Sequence, residues 1–140
     1  MNNTLIAALL ALVLLCACSA TPAQNPPIER LKLPPGFALE VWARVPEPRA
    51  MTLGADRTLF VGSRGAGKVH AIKFDETLRA GAVSTVAEGL DMPVGVAFRD
   101  SALYVSSIGR ILRYDGIEAK LASPPRPAVV SDRFPGDKHD

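Results

Sequence analysis

Thr58-Leu59-Phe60-Val61-Gly62-Ser63 returns 44 residues later as Ala102-Leu103-Tyr104-Val105-Ser106-Ser107. Leu59 matches Leu103, Phe60 matches Tyr104 and Val61 matches Val105. In both stretches three consecutive apolar residues precede two small ones. A run this short and this apolar suits a strand covered on both faces. The similarity extends outward in both directions. Before the first stretch lie Ala50-Met51-Thr52-Leu53 and a turn at Gly54-Ala55-Asp56-Arg57. Before the second lie Val94-Gly95-Val96-Ala97-Phe98 and a turn at Arg99-Asp100-Ser101. After the first come the tight Gly-rich link Arg64-Gly65-Ala66-Gly67 and a strand over Lys68-Val69-His70-Ala71-Ile72. After the second come Ile108-Gly109 and Arg110-Ile111-Leu112-Arg113-Tyr114. Val69 matches Ile111 at a spacing of 42. An outer strand is expected in each repeat, at Val83-Ser84-Thr85-Val86-Ala87 and at Pro127-Ala128-Val129-Val130.

Four short strands in a repeat of about 40–50 residues is the pattern of a β-propeller blade. The expected fold is all-β: a β-propeller of which this chain holds about two blades. They span about 49–88 and about 93–131, within a region 35–140. The alternative is two unrelated hairpins of similar composition. The small residues after each apolar run suit a crowded place near a ring axis. Ile117-Glu118-Ala119-Lys120-Leu121-Ala122 reads as one or two helical turns, stopped by Pro124-Pro125. After a turn at Pro34-Pro35-Gly36, Phe37-Ala38-Leu39-Glu40-Val41-Trp42-Ala43 reads as a strand. Phe37, Leu39 and Val41 would share one face, with Glu40 and Trp42 on the other. Two blades cannot close a ring, so a truncated or interrupted form of a longer protein is expected.

Leu5 to Leu15 is an unbroken apolar run of eleven residues. As a helix it reaches about 16 Å, against the ~30 Å of a bilayer core. Residues 1–18 therefore read as an export signal. Both cysteines, Cys16 and Cys18, stand at its end. Leu15-Cys16-Ala17-Cys18 resembles the bacterial lipobox, and by that resemblance Cys18 is the lipidated anchor. The alternative is ordinary cleavage after Ala20. The expected location is the periplasmic side of a bacterial membrane. Ser19 after the anchor favours the outer membrane. Residues 19–34, small, polar and Pro-rich, read as a tether. The 16 basic and 14 acidic residues are interspersed, for a net charge of +2. Nucleic-acid binding needs a clustered basic face, and no such cluster is visible.

LKLPPGFALEVWARVPEPRAMTLGADRTLFVGSRGAGKVHAI (31–72) resembles the start of the sorbosone/glucose dehydrogenase family of quinoproteins. EGLDMPVGVAFRDSALYVSSIGRILRYDGIEAKL (88–121) and ASPPRPAVVSDRFPGDKH (122–139) are similar in order and spacing to the same family. The resemblance implies a six-bladed exported propeller that binds pyrroloquinoline quinone (PQQ) and calcium. It also implies oxidation of a sugar or polyol by hydride transfer to the quinone. It makes Phe37 to Ala43 the strand that completes the last blade. His139 matches the first His of the family's His-His-Gly motif, and Asp140 stands where the second belongs. The second His is the one expected to act as base, since an imidazole suits proton abstraction from a hydroxyl. Catalysis by this chain alone is therefore not expected.

Arg64 follows the second strand of the first repeat, and could pair there with PQQ carboxylates in a fork geometry. The alternative is a surface charge on a hairpin. His70 reads as a surface residue. Gly65-Ala66-Gly67-Lys68 lacks the spacing and following helix of a phosphate loop. No acidic cluster has calcium-loop spacing, and no metal ligand is assigned. Two other functions fit the repeats: a non-enzymatic cell-surface binding module, and a propeller resembling lactone hydrolases.

Overall fold

The computed structural model describes residues 26–136. Two compact units divide between Leu39 and Glu40. The first, described over 26–39, holds a 3-10 turn at Ile28–Arg30. It also holds a reverse turn in which the Phe37 amide donates to the Pro34 carbonyl at 3.2 Å. Gly36 takes φ +85° there, a conformation glycine adopts without steric cost.

The second unit is all-β. Strands β1 (Pro48–Leu53), β2 (Thr58–Ser63), β3 (Val69–Phe74) and β4 (Ala80–Ala87) form one antiparallel sheet in chain order. Strands β5 (Val96–Arg99), β6 (Ala102–Ser107), β7 (Arg110–Asp115) and β8 (Ala128–Ser131) form a second of the same order. A 3-10 turn at Ile117–Lys120 stands where one or two helical turns were expected. The two-residue hairpin between β5 and β6 has positive φ at Asp100 and Ser101. That geometry matches the right-handed twist of the strands it joins.

Strand register fixes which residues share a face, because side chains alternate along a strand. In the first sheet Phe60 lies opposite Ala71 and Thr52, and Gly62 lies opposite Val69. This face meets the second sheet. In the second sheet Leu103 and Val105 lie opposite Phe98 and Val96 on one side and Tyr114 and Leu112 on the other. That face joins Phe60, Val69 and Ala71 in one buried cluster. The Phe60 and Phe98 rings stack with centroids 5.7 Å apart.

The packed faces are not equivalent. Leu103 and Val105 are the repeat counterparts of Leu59 and Val61, which lie on the face of the first sheet turned away from the second. The front of one sheet thus meets the back of the next. A two-fold sandwich would bury the same face of both.

Glu118 ties the two sheets at one end. Its carboxylate accepts the Ala55 amide at 3.1 Å and the Asp56 amide at 2.9 Å. Glu118→Ala leaves both turn amides to solvent. The expected cost is about 1–2 kcal/mol, the scale of exposed hydrogen bonds to a charged acceptor. Urea unfolding would measure it, and amide exchange should quicken at Ala55 and Asp56 first.

Phe37 to Ala43 is not a strand. A strand needs a partner for its backbone N–H and C=O groups, and no described segment offers one. Phe37, expected to share a face with Leu39 and Val41, is 71% exposed. Trp42, expected on the opposite face, packs edge-on against Phe74 with centroids 5.8 Å apart. Its Nε1–H donates to the Leu78 carbonyl.

Candidate functional site

The strand ends of the two-sheet unit differ in what their charges do. At the β1–β2 end the charged groups are consumed by turns. Lys73 pairs with Asp56 at 2.8 Å and Arg57 with Glu76 at 3.1 Å. The Asp75 carboxylate accepts the Thr77 and Arg79 amides, which hold its carboxyl below the usual range. Hydrogen bonding to Lys73 does the same for Asp56.

The opposite end holds the β2–β3 hairpin and the links that lead into each sheet. Arg64 lies on that hairpin, exposed. Its amide donates to the Glu47 carbonyl at 3.2 Å, and the Ile108 amide donates to the Asp91 carbonyl at 3.0 Å. These two bonds are repeat counterparts, both partners being displaced by 44 residues. Glu47 and Met92 each precede a proline, and each takes a positive φ, 45° and 46°. The links therefore enter the two sheets with the same backbone turn. Buried serines fasten this end. Ser63 Oγ bonds the Lys68 amide and carbonyl, and Ser107 Oγ bonds the Asp91 amide and carbonyl.

Between the two links lies an open recess of about 460 Å³, lined by Glu47, Arg64, Gly65, Leu90, Asp91 and Met92. Gly65 forms part of its wall because a Cβ there would stand 2.9 Å from Glu47 Oε2. The Arg64 guanidinium makes no ion pair among the described residues. One guanidinium and two carboxylates in a recess whose lining is more polar than apolar suit a hydroxyl-rich ligand: hydroxyls donate to carboxylates and accept from the guanidinium.

These residues do not fit PQQ and calcium. PQQ carries three carboxyl groups, and Arg64 is the one cationic side chain that lines the recess. No group of three His, Cys, Asp or Glu side chains stands together among the described residues. Cys18 and His139 lie outside the described residues. No helix among the described residues is long and apolar enough to cross a membrane.

His70 corrects an expectation. It is 6% exposed, on the same sheet face as Val61 and Ile72, which are also buried. Its Nδ1 lies 3.4 Å from Thr85 Oγ1, and its Nε2 has no hydrogen-bond partner. Burial, and secondly the charge of Lys68, hold the imidazole below its usual value of 6.5. The unfolded chain therefore binds a proton near pH 6.5 that the folded chain refuses until lower pH. The stability contribution is full above that pH and falls as pH drops below it. His70→Leu, which copies the counterpart Leu112, should raise stability by about 1 kcal/mol by removing an unpaired polar atom. It should also flatten the decline on acidification, read as urea midpoints at about pH 7.5 and 5.5.

Of the expected site residues, the structure brings Arg64 to the recess. Glu47 and Asp91 were missed. The signal for them was the X-Pro pair, Glu47-Pro48 and Met92-Pro93, spaced 45 apart at the entry to each repeat.

The chain is similar to an uncharacterized protein of Borreliella burgdorferi, 28% identical over 105 residues, which cover 74% of this chain and 26% of the relative. The chain thus spans about a quarter of the length of the curated relative it matches. No family model matches the chain. No solved structure matches it.

Proposed function

We propose that the two sheets are adjacent blades of an exported β-propeller that handles a sugar or polyol, in the manner of the quinoprotein sugar dehydrogenases. The observation that carries this reading is the packing of front face on back face. Repeat-equivalent sheets stacked that way can continue around a ring, whereas a two-fold sandwich cannot. The resemblance over residues 31–139 supports the sugar-oxidising class, and the leader supports export with Cys18 as lipid anchor on the periplasmic side.

In this reading the chain's own residues bind and orient. Glu47 and Asp91 accept from substrate hydroxyls, and Arg64 donates to a hydroxyl or carbonyl oxygen. Quinone, calcium and general base belong to the rest of a complete ring. The charge of the recess favours a second reading, a cell-surface module that holds a carbohydrate without oxidising it.

Amide NMR of the chain titrated with glucose, sorbose and sorbitol tests the recess. Shifts at Arg64, Gly65 and Leu90 to Met92, abolished by Arg64→Ala, are expected. Silence at all of these positions contradicts the assignment. With PQQ, calcium and an electron-accepting dye added, no sugar-dependent dye reduction is expected from the chain alone. Turnover there would contradict the binding-only role given to these sheets. A longer chain carrying the same two sheets should oxidise sugar under the first reading and only bind it under the second.

A further inference from the structure

We infer that Ser107 is a positioning residue of the recess, an inference that rests on the carbohydrate reading above. Its hydroxyl grips the Asp91 backbone and so sets where the Asp91 carboxylate meets a ligand hydroxyl. Ser107 ends β6 and is 5% exposed. It is not among the residues that line the recess. Its Oγ accepts from the Asp91 amide at 3.2 Å and donates to the Asp91 carbonyl at 3.1 Å. The same carbonyl accepts from the Ile108 amide at 3.0 Å. One hydroxyl and one amide at the end of β6 thus hold both backbone polar groups of Asp91.

The link needs such a hold. Asp91 is followed by Met92, at φ 46° and directly before Pro93. A side chain at positive φ costs energy, and a proline steers the residue before it toward extended backbone. Once released, the link relaxes out of this turn and moves Leu90, Asp91 and Met92, half of the recess lining. The repeat does not dictate the grip. Ser63, the counterpart of Ser107, spends its hydroxyl on Lys68 within its own hairpin. Neighbouring Ser106 offers a comparison on the same link. Its Oγ accepts from the Gly95 amide at 2.8 Å and donates to the Gly95 carbonyl at 3.3 Å. Gly95 is not part of the recess lining.

Affinities for glucose, sorbose and sorbitol, read from the amide shifts of Gly65 and Leu90, test this. Ser107→Ala should weaken binding about tenfold, the scale of one hydrogen bond to a charged acceptor. Ser106→Ala should leave affinity unchanged while losing similar stability to urea. Asp91→Ala should weaken binding by a similar factor to Ser107→Ala, and adding Ser107→Ala to it should weaken binding no further. A serine that acts only on the fold would add its loss in either background. Ser107→Cys keeps the volume with a weaker donor. It should lose affinity in the same direction, which covers an alanine variant that does not fold. Equal weakening by Ser106→Ala and Ser107→Ala overturns the positioning role, as do full affinity in Ser107→Ala and additive losses with Asp91→Ala. Each of these leaves the carbohydrate reading standing. Silence of the native chain toward all three sugars overturns both.

Discussion

Phe60→Ala will destabilise the chain by roughly 3–5 kcal/mol, the scale of emptying a large buried aromatic site. Phe60 is fully buried at the centre of the cluster shared by both sheets. Removing the ring opens a cavity bounded by strands of two different sheets, so neither sheet can collapse into it alone. A domain of this size commonly has a total stability of about 5–15 kcal/mol. The variant should therefore sit near its unfolding midpoint at modest urea. Trp42 is the sole tryptophan and reports on sheet one through Phe74. Circular dichroism reports on both sheets, and the two curves should coincide if the sheets unfold together. Phe98→Ala should cost less, since Phe98 is only partly buried. The double-mutant cycle should return about 0.5–1.5 kcal/mol of coupling, the range for an aromatic pair. Zero coupling would mean the rings do not meet.

Gly62→Val should cost about 3 kcal/mol, toward the upper end for overpacking. A Cβ at Gly62 collides with the Pro93 carbonyl oxygen and comes within 3.2 Å of the Val94 carbonyl oxygen. Both are backbone atoms of the link that enters the second sheet, and backbone cannot rotate aside as a side chain does. The sheets must separate or the link must move. Ser106, the counterpart in the second sheet, already carries a side chain, which bonds the Gly95 amide at 2.8 Å. Ser106→Val should therefore be milder than Gly62→Val. Equal losses would contradict the placement of the link over Gly62. Urea midpoints of the two variants decide it.

The inner strands were the most legible part of the sequence. β2 and β6 fall where their apolar runs lie, because a strand covered on both faces needs apolar residues at every position. The outer strands shifted by a few residues. Their ends are set by pairing with a neighbour and by bulges, neither of which leaves a local signature. Phe37 to Ala43 shows what alternation alone cannot say: it marks a chain able to be a strand, and pairing decides whether it becomes one. His70 was misread because alternation with Val69 and Ala71 suggested an outer surface, when the opposite face of an inner strand is also covered. Gly62-Ser63 and Ser106-Ser107 are small for a nearer reason than a ring axis. Gly62 makes room for the link at Pro93, and Ser63, Ser106 and Ser107 bond loop backbone. At the recess, Arg64 was legible as a charge beside a tight turn. Glu47 and Asp91 join it only through the entry links, whose meeting depends on how the sheets stack.

That stacking is the central claim, and nuclear Overhauser contacts between aromatic rings test it most directly. Front-on-back packing places Phe60 against Phe98, 5.7 Å between centroids, so strong ring-to-ring cross-peaks are expected for that pair and none between Phe60 and its counterpart Tyr104. A Phe60–Tyr104 cross-peak without a Phe60–Phe98 one would mean that equivalent faces meet as a two-fold sandwich, and would contradict the blade arrangement.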